Sequence, residues 1–62
     1  MTSEQIEMMV GDGRVATDFE GVTVQRVGGR QPWRVSHVGG REHFATLRAA
    51  AVRAAALLRG AA

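Results

Sequence analysis

The 62-residue sequence predicts a small α+β domain, in which three to four antiparallel strands pack on one C-terminal helix and a short N-terminal helix can be added. Three observations support this prediction. Segments rich in Val, Thr and Phe alternate with turn residues, two Gly-Gly pairs interrupt the middle of the chain, and an alanine-rich run closes it. A chain of this length permits one domain, which divides into residues 1–13, 14–45 and 46–59.

Residues 1–13 carry signals for the start and the end of a helix. Thr2 followed by Gln5 has the spacing of a capping box, and the apolar residues after it lie at helical spacing. Gly11-Asp12-Gly13 would end this helix after two turns. Because so short a helix is marginal unless it packs against the rest of the chain, two alternatives remain open, a docked short helix and a flexible acidic arm.

The segment 14–45 predicts a β-meander. Glu20-Gly21 favours a two-residue hairpin turn, and Pro32, which has no amide hydrogen, delays the following strand to about Trp33. Gly39-Gly40 predicts a second tight turn, with a positive φ at both glycines. The predicted strands cover residues 14–19, 22–27, 33–38 and 41–45.

The last segment, 46–59, predicts a helix that begins after Thr46 as N-cap and ends before Gly60. The face of this helix that lies opposite the one expected to be buried carries a strip of small or apolar side chains between arginines. Such a strip favours a dimer contact or a contact with a protein partner. The high helix propensity of alanine on a solvated face explains the same strip equally well. At about 100° per residue, the face expected to be buried comprises Leu47, Ala50, Ala51, Ala54, Leu57 and Leu58. The strip comprises Ala49, Val52 and Ala56, with Arg53 beside them.

The strand pairing expected across Gly39-Gly40 sorts the side chains onto two faces. In that register His37 lies opposite Glu42, and Ser36 lies opposite His43. We expect His37 and Glu42 to form a hydrogen-bonded or ionic pair at the rim of the buried face. The face that must cover the helix carries the bulky apolar residues and this pair, namely Trp33, Val35, His37, Glu42 and Phe44.

The other face of the predicted sheet is polar and mostly cationic. In the DNA major groove, arginine side chains read guanine and glutamine side chains read adenine, so such a face suits DNA. The alternative is that any sheet with one solvated face must show polar residues to water. Thr23 of the neighbouring strand shares this face. The candidate nucleic-acid-binding residues are Arg34, Ser36, Arg41 and His43, with Gln25 from the neighbouring strand and Arg30 from the loop.

Charge is distributed unevenly along the chain. Residues 1–20 hold five carboxylates against one arginine, a net charge of −4, whereas residues 21–62 hold seven arginines against one carboxylate, a net charge of +6. Every basic residue is an arginine, whose forked guanidinium binds phosphate and carboxylate through two hydrogen bonds. An acidic N-terminal part and a basic remainder favour either ion pairs between these two parts of the chain or a basic surface that binds an anionic partner.

Composition also bears on location and assembly. The sequence has no cysteine, no signal-peptide pattern and no apolar run of the roughly 20 residues that span a bilayer. These features predict a cytoplasmic protein of bacterial or phage origin that does not enter a membrane. A chain this short buries only about 60% of the surface that its unfolded form exposes. Because neither a disulfide nor a metal is expected to add stability, the expected assembly is a homodimer.

The run from Trp33 to Leu58 resembles two groups of small domains. Its tryptophan strand, Gly39-Gly40 turn, Phe44-Ala45-Thr46 step and alanine-rich helix are similar to the N-terminal arm-binding domain of tyrosine-type phage integrases. The run is also similar to small uncharacterised bacterial ββα domains with Trp-x-Val and Phe-x-Thr motifs. In the integrases the three-stranded sheet binds DNA. The resemblance implies the same role for the matching positions Arg34, Ser36, Arg41 and His43.

The side chains capable of catalysis are poorly placed for it. Ser36 and His37 are adjacent in a strand and point to opposite faces, and His37 and His43 also lie on opposite faces, which argues against a shared metal. Ser36 and His43 face together, but the pattern offers them neither a third residue nor a pocket. We therefore expect no enzymatic activity, no metal, no cofactor and no small-molecule substrate.

Three functions remain open. The first is a small DNA-binding accessory protein. The second is a protein-interaction module such as a phage-encoded inhibitor of a host nucleic-acid machine, a class of which the anti-CRISPR proteins are an example of this size. The third is a dimeric domain with no nucleic-acid role.

Overall fold

A four-stranded antiparallel sheet and two helices make up residues 1–60, the part of the chain that the computed structural model describes. The strands follow one another in the order β1-β2-β3-β4, so the sheet is a meander. This arrangement confirms the predicted α+β class. The elements are α1 (Ser3–Val10), β1 (Thr17–Phe19), β2 (Val22–Arg26), β3 (Trp33–His37), β4 (Gly40–Phe44) and α2 (Leu47–Leu58).

Helix α1 is a docked helix and not an extended arm. The predicted capping box is present, because the Gln5 amide donates to Thr2 Oγ1 at 3.2 Å and the Thr2 amide donates to Gln5 Oε1 at 2.8 Å. Ile6 and Val10, one helical turn apart, are both buried in the core. Their burial against α2 supplies the packing that so short a helix needs.

The first hairpin turns where the sequence predicts it. Phe19 pairs with Val22, so Glu20-Gly21 is the two-residue loop. Strand β1, however, begins at Thr17 and not at residue 14. The preceding residues form a turn instead, in which the Arg14 amide donates to Asp12 Oδ1 at 3.1 Å.

The second hairpin departs from the predicted register. His37 pairs with Gly40 and Ser36 with Arg41, so the loop is Val38-Gly39, and positive φ is found at Gly40 but not at Gly39. This register places Trp33 beside Phe44, a cross-strand aromatic pair of the kind that stabilises sheets. The pairing has shifted by two residues, which preserves the face of every side chain.

Helix α2 begins after its predicted N-cap, with the Ala49 amide donating to Thr46 Oγ1 at 3.2 Å. Its small side chains let the helix lie close to Val24 and Val35 of the sheet, which are fully buried. Neither helix of residues 1–60 combines the length and apolar character needed to cross a bilayer. The buried residues of α2 are Ala50, Ala51, Ala54 and Ala55, and its partly buried ones include Leu47, Leu57 and Leu58.

The burial pattern of α2 differs from the predicted one at Ala55. The helical projection leaves this residue outside the buried face, but it is 3% exposed because α1 packs on that side of the helix. The leucines at the two ends of the helix are conversely only half-buried. Alanines therefore form the centre of the helix–sheet contact.

Candidate nucleic-acid interface

The side of the sheet opposite the helices forms a polar surface, here named the outer face. Helix α2 packs on β2, β3 and β4 from the side of Val24 and Val35, and α1 packs on α2. Because side chains alternate along a strand, the residues between these core positions point the other way. The outer face consists of Asp18, Thr23, Gln25, Arg34, Ser36, Arg41 and His43.

Strand pairing arranges the outer face in two rows. The first, named the Arg34 row, contains Gln25, Arg34 and His43 in direct cross-strand register. The second, named the Arg41 row, contains Asp18, Thr23, Ser36 and Arg41. The two rows are about 7 Å apart along the strands, and neighbours within a row are about 5 Å apart. Five of the six predicted nucleic-acid-binding residues therefore share one face.

Arg34 occupies the middle of the outer face on an inner strand. Its Nη2 donates to Gln25 Oε1 at 3.2 Å, across the β2–β3 pair. Its Nε is buried and has no acceptor among residues 1–60. The guanidinium is thus held against the sheet with part of its hydrogen-bonding capacity unused.

Arg41 and Arg30 present their charges more openly than Arg34 does. Arg41 is exposed on β4, the edge strand of the sheet. Arg30, the sixth predicted residue, is exposed in the loop between β2 and β3, which adjoins the end of the sheet that carries the Arg34 row. These two arginines therefore border the outer face, whereas Arg34 lies within it.

Acidic groups lie mainly elsewhere in the molecule. Glu4 and Glu7 belong to α1, and Glu42 points to the helix side of the sheet. The acid of the outer face is Asp18, whose Oδ1 accepts a hydrogen bond from the Gly21 amide at 3.1 Å. Sequence reasoning did not assign Asp18 to this face, although alternation from the Glu20-Gly21 turn would have placed it there.

The predicted pair of His37 and Glu42 forms at the rim of the helix side. His37 Nε2 lies 2.7 Å from Glu42 Oε2, and the Gly39 amide donates to His37 Nδ1 at 3.2 Å. Because Nδ1 accepts this bond, the proton of the neutral ring sits on Nε2 and is donated to the carboxylate. Arg53 Nε also donates to Glu42, at 3.1 Å from both carboxylate oxygens. The hydrogen bond from His37, aided by Arg53, holds the pKa of Glu42 below its ordinary value.

The strip predicted as a dimer or partner contact is only partly available at the surface. Ala49 is exposed and Val52 is 51% exposed, but Ala56 is half-buried. Arg53 reaches from the same side of the helix towards the sheet, where it binds Glu42. What remains accessible in the strip is centred on Val52, beside Met1 and the start of α1.

Ser36 is in cross-strand register with neither histidine of the sheet. Ser36 pairs with Arg41 and not, as the predicted register had it, with His43, which lies on a diagonal of the same face. Both ring nitrogens of His37 are already engaged in hydrogen bonds on the opposite side. Among the residues that the structure describes, no three His, Cys, Asp or Glu side chains are grouped so as to hold a metal ion.

Comparison with known proteins identifies no relative. No family model, no curated protein and no solved structure matches this chain. What the protein does must therefore be inferred from the placement of its own side chains.

Proposed function

We propose that the chain is a small cytoplasmic DNA-binding accessory protein of bacterial or phage origin, which contacts duplex DNA through the outer face. One observation supports this proposal above all. The outer face brings two arginines, a histidine and three neutral hydrogen-bonding side chains to a surface that neither helix covers, with Asp18 as its acid.

The part of the outer face on β2, β3 and β4 matches the width of a major groove. Strands β2, β3 and β4 span about 10 Å between the outermost strand axes. The major groove of B-DNA is about 12 Å wide and admits a two-stranded β-ribbon. The side chains of the two rows would then point at the base edges, while the strand at the edge of the sheet would lie near a sugar-phosphate backbone.

Charge placement supports the same orientation. Arg41 on the edge strand and Arg30 in the β2–β3 loop flank the face, where phosphates would lie. The acidic residues Glu4 and Glu7 are carried by α1, which packs on α2 away from the proposed DNA. The resemblance to the arm-binding domains of phage integrases, in which a sheet also binds DNA, agrees with this use of the face.

A salt-dependent titration tests the proposal. Binding of a fluorescein-labelled duplex is followed by anisotropy at several salt concentrations, and we expect the logarithm of affinity to fall linearly with the logarithm of salt. Arg41→Ala should reduce the slope by about one, because one phosphate contact is lost. Arg34→Ala should also weaken binding.

A matched control comes from the far end of the molecule. Arg59 follows α2 and adjoins the start of α1, so Arg59→Ala removes the same charge away from the outer face. We expect it to leave the slope nearly unchanged. The proposal is wrong if no duplex is bound even at low salt, or if Arg41→Ala and Arg59→Ala reduce the slope equally.

The second candidate function is contact with protein, first of all with a second copy of the chain. Its specific observation is Val52, half-exposed on the alanine-rich surface of α2 next to the exposed Ala49. A chain of 62 residues gains little stability from its own core, and a homodimer would add to it. The same strip would serve an inhibitor that binds a host protein.

Molar mass distinguishes this candidate from the first. Light scattering at micromolar concentration should give the mass of a dimer, and Val52→Arg should return the mass of a monomer. A monomeric wild-type chain would exclude self-association. If Val52→Arg left DNA binding unchanged, the two surfaces would act independently.

A further inference from the structure

The position of the Arg34 row leads to an inference about which base pairs the protein prefers, and this inference rests on the proposed function. We propose that this row reads base edges, with the Arg34 guanidinium donating to O6 and N7 of a guanine in the major groove. Arg41 and Arg30 hold the flanking phosphates and contribute no discrimination between base pairs.

Position in the sheet separates the two roles. Arg34 lies on β3, an inner strand, with Gln25 on one side and His43 on the other. A sheet laid into the groove brings the middle of its face to the groove floor, where the base edges are. Arg41, on the edge strand β4, lies closer to a wall of the groove, and the walls are lined by phosphates.

The hydrogen bonding of Arg34 also suits a base more than a phosphate. Its Nη2 is engaged by Gln25 Oε1, and its Nε is enclosed without an acceptor among residues 1–60. When the side chain rises from the sheet, guanine offers two acceptors to the guanidinium fork. Gln25 is released by the same movement, and its amide can then pair with N6 and N7 of a neighbouring adenine.

Loss of a single acceptor atom tests direct readout. Wild-type protein is titrated with three duplexes of equal length, one containing a central guanine, one with 7-deazaguanine at that position and one with an A·T pair. Because guanine positions in a binding sequence are not known beforehand, the duplex is first selected from a randomised pool. We expect 7-deazaguanine, which lacks the N7 acceptor, to weaken binding roughly tenfold.

Conservative variants separate fork geometry from charge. Arg34→Lys keeps the charge but loses the planar fork, so it should reduce the preference for guanine while the salt slope stays close to that of wild type. Arg41→Lys should weaken binding to all three duplexes alike and preserve the ratio of their affinities. The fluorescence of Trp33, the single tryptophan, verifies that both variants are folded.

The outcomes distinguish this inference from the proposed function. If the wild-type chain binds all three duplexes equally, with a normal salt slope, DNA binding stands and guanine readout is wrong. The inference is also overturned if Arg34→Lys retains the full preference of wild type. If the pool yields no bound duplex at all, the proposed function fails and takes the inference with it.

Discussion

The indole ring of Trp33 lies directly against the backbone of Gly13. A β-carbon built on Gly13 would stand 2.5 Å from Trp33 Cζ3 and 2.9 Å from Cη2, closer than such atoms can approach. The Gly13 carbonyl in turn accepts a hydrogen bond from the Arg26 amide at 3.0 Å. The ring contact and this hydrogen bond together hold the segment between α1 and β1 against the helix side of the sheet.

Substitution of Gly13 should therefore be among the most destabilising changes in the chain. Gly13 has a φ of +71°, a left-handed conformation that costs an L-residue about 1 kcal/mol or more. Overlap with the indole ring, and with Arg26 Cβ at 2.9 Å, adds a cost of overpacking of about 1–3 kcal/mol. We expect Gly13→Ala to lower the free energy of unfolding by about 3 kcal/mol, measured in urea by Trp33 fluorescence.

Gly29 offers the matched control for this prediction. Its φ of +86° is similarly left-handed, but no atom lies within 4 Å of an added β-carbon. Gly29→Ala should therefore show the conformational cost alone, about 1 kcal/mol. Equal losses for the two variants would mean that the contact with Trp33 contributes nothing.

A second prediction follows from the close packing of α2 on the sheet. Ala54 is fully buried, whereas Ala49 is exposed on the same helix. Leucine and alanine are both strong helix formers, so substitution changes mainly the volume that must be packed. Ala54→Leu should destabilise the fold by about 1–3 kcal/mol, and Ala49→Leu by less than about 0.5 kcal/mol. Thermal unfolding followed by circular dichroism measures both, and a harmless Ala54→Leu would show that the interface is loosely packed.

Stability should depend on pH through Glu42. The hydrogen bond from His37, together with Arg53, lowers the pKa of Glu42 in the folded state. A carboxylate with a lowered pKa stabilises the fold above its unfolded pKa, and this contribution disappears as the pH falls through the folded value. Glu42→Gln should thus be less stable than wild type near pH 7, and the difference should shrink as the pH falls below about 4.5.

Urea denaturation midpoints between neutral and acidic pH measure this difference. Glu20→Gln, at an exposed turn position, is the control, and its curve should run parallel to that of wild type. If the difference in stability between Glu42→Gln and wild type stays the same at acidic pH, the carboxylate charge of Glu42 is not what stabilises its contacts with His37 and Arg53.

Alternation along the strands was sufficient to predict the outer face, but not the pairing across it. Arg34 and Ser36 face away from the core in either register, because the observed pairing differs from the expected one by two residues. The choice of Val38-Gly39 as the loop depends on side-chain contacts that alternation does not reveal, one at the far end of the hairpin and one beside the loop. Trp33 must meet Phe44, and the His37 ring must accept the Gly39 amide.

Arg53 shows a second limit of reasoning from periodicity. A helical projection gives the direction in which a side chain leaves the helix, and it placed Arg53 opposite the buried face, beside the strip predicted as a dimer or partner contact. It takes no account of reach, and a long arginine side chain can lie along the helix surface to a distant partner. The acceptor, Glu42, belongs to another element, so the ion pair could be found only once α2 was placed on the sheet.

The first hairpin yields the last prediction, a stabilising one. Glu20 has a φ of +53° and Gly21 a φ of +92°, which are the two positive values of a type I′ turn. Glutamate is strained in this conformation, whereas asparagine adopts it readily and is preferred before glycine in such turns. Glu20→Asn should therefore raise the free energy of unfolding by roughly 0.5–1 kcal/mol.

Glu20→Ala separates conformation from charge in this experiment. Alanine removes the carboxylate but has no preference for the left-handed region, so it should not stabilise the hairpin. Urea denaturation of both variants beside wild type gives the comparison. An equal gain for alanine and asparagine would assign the effect to the loss of a negative charge. A gain for asparagine alone would show that Glu20 strains the turn that joins β1 to β2.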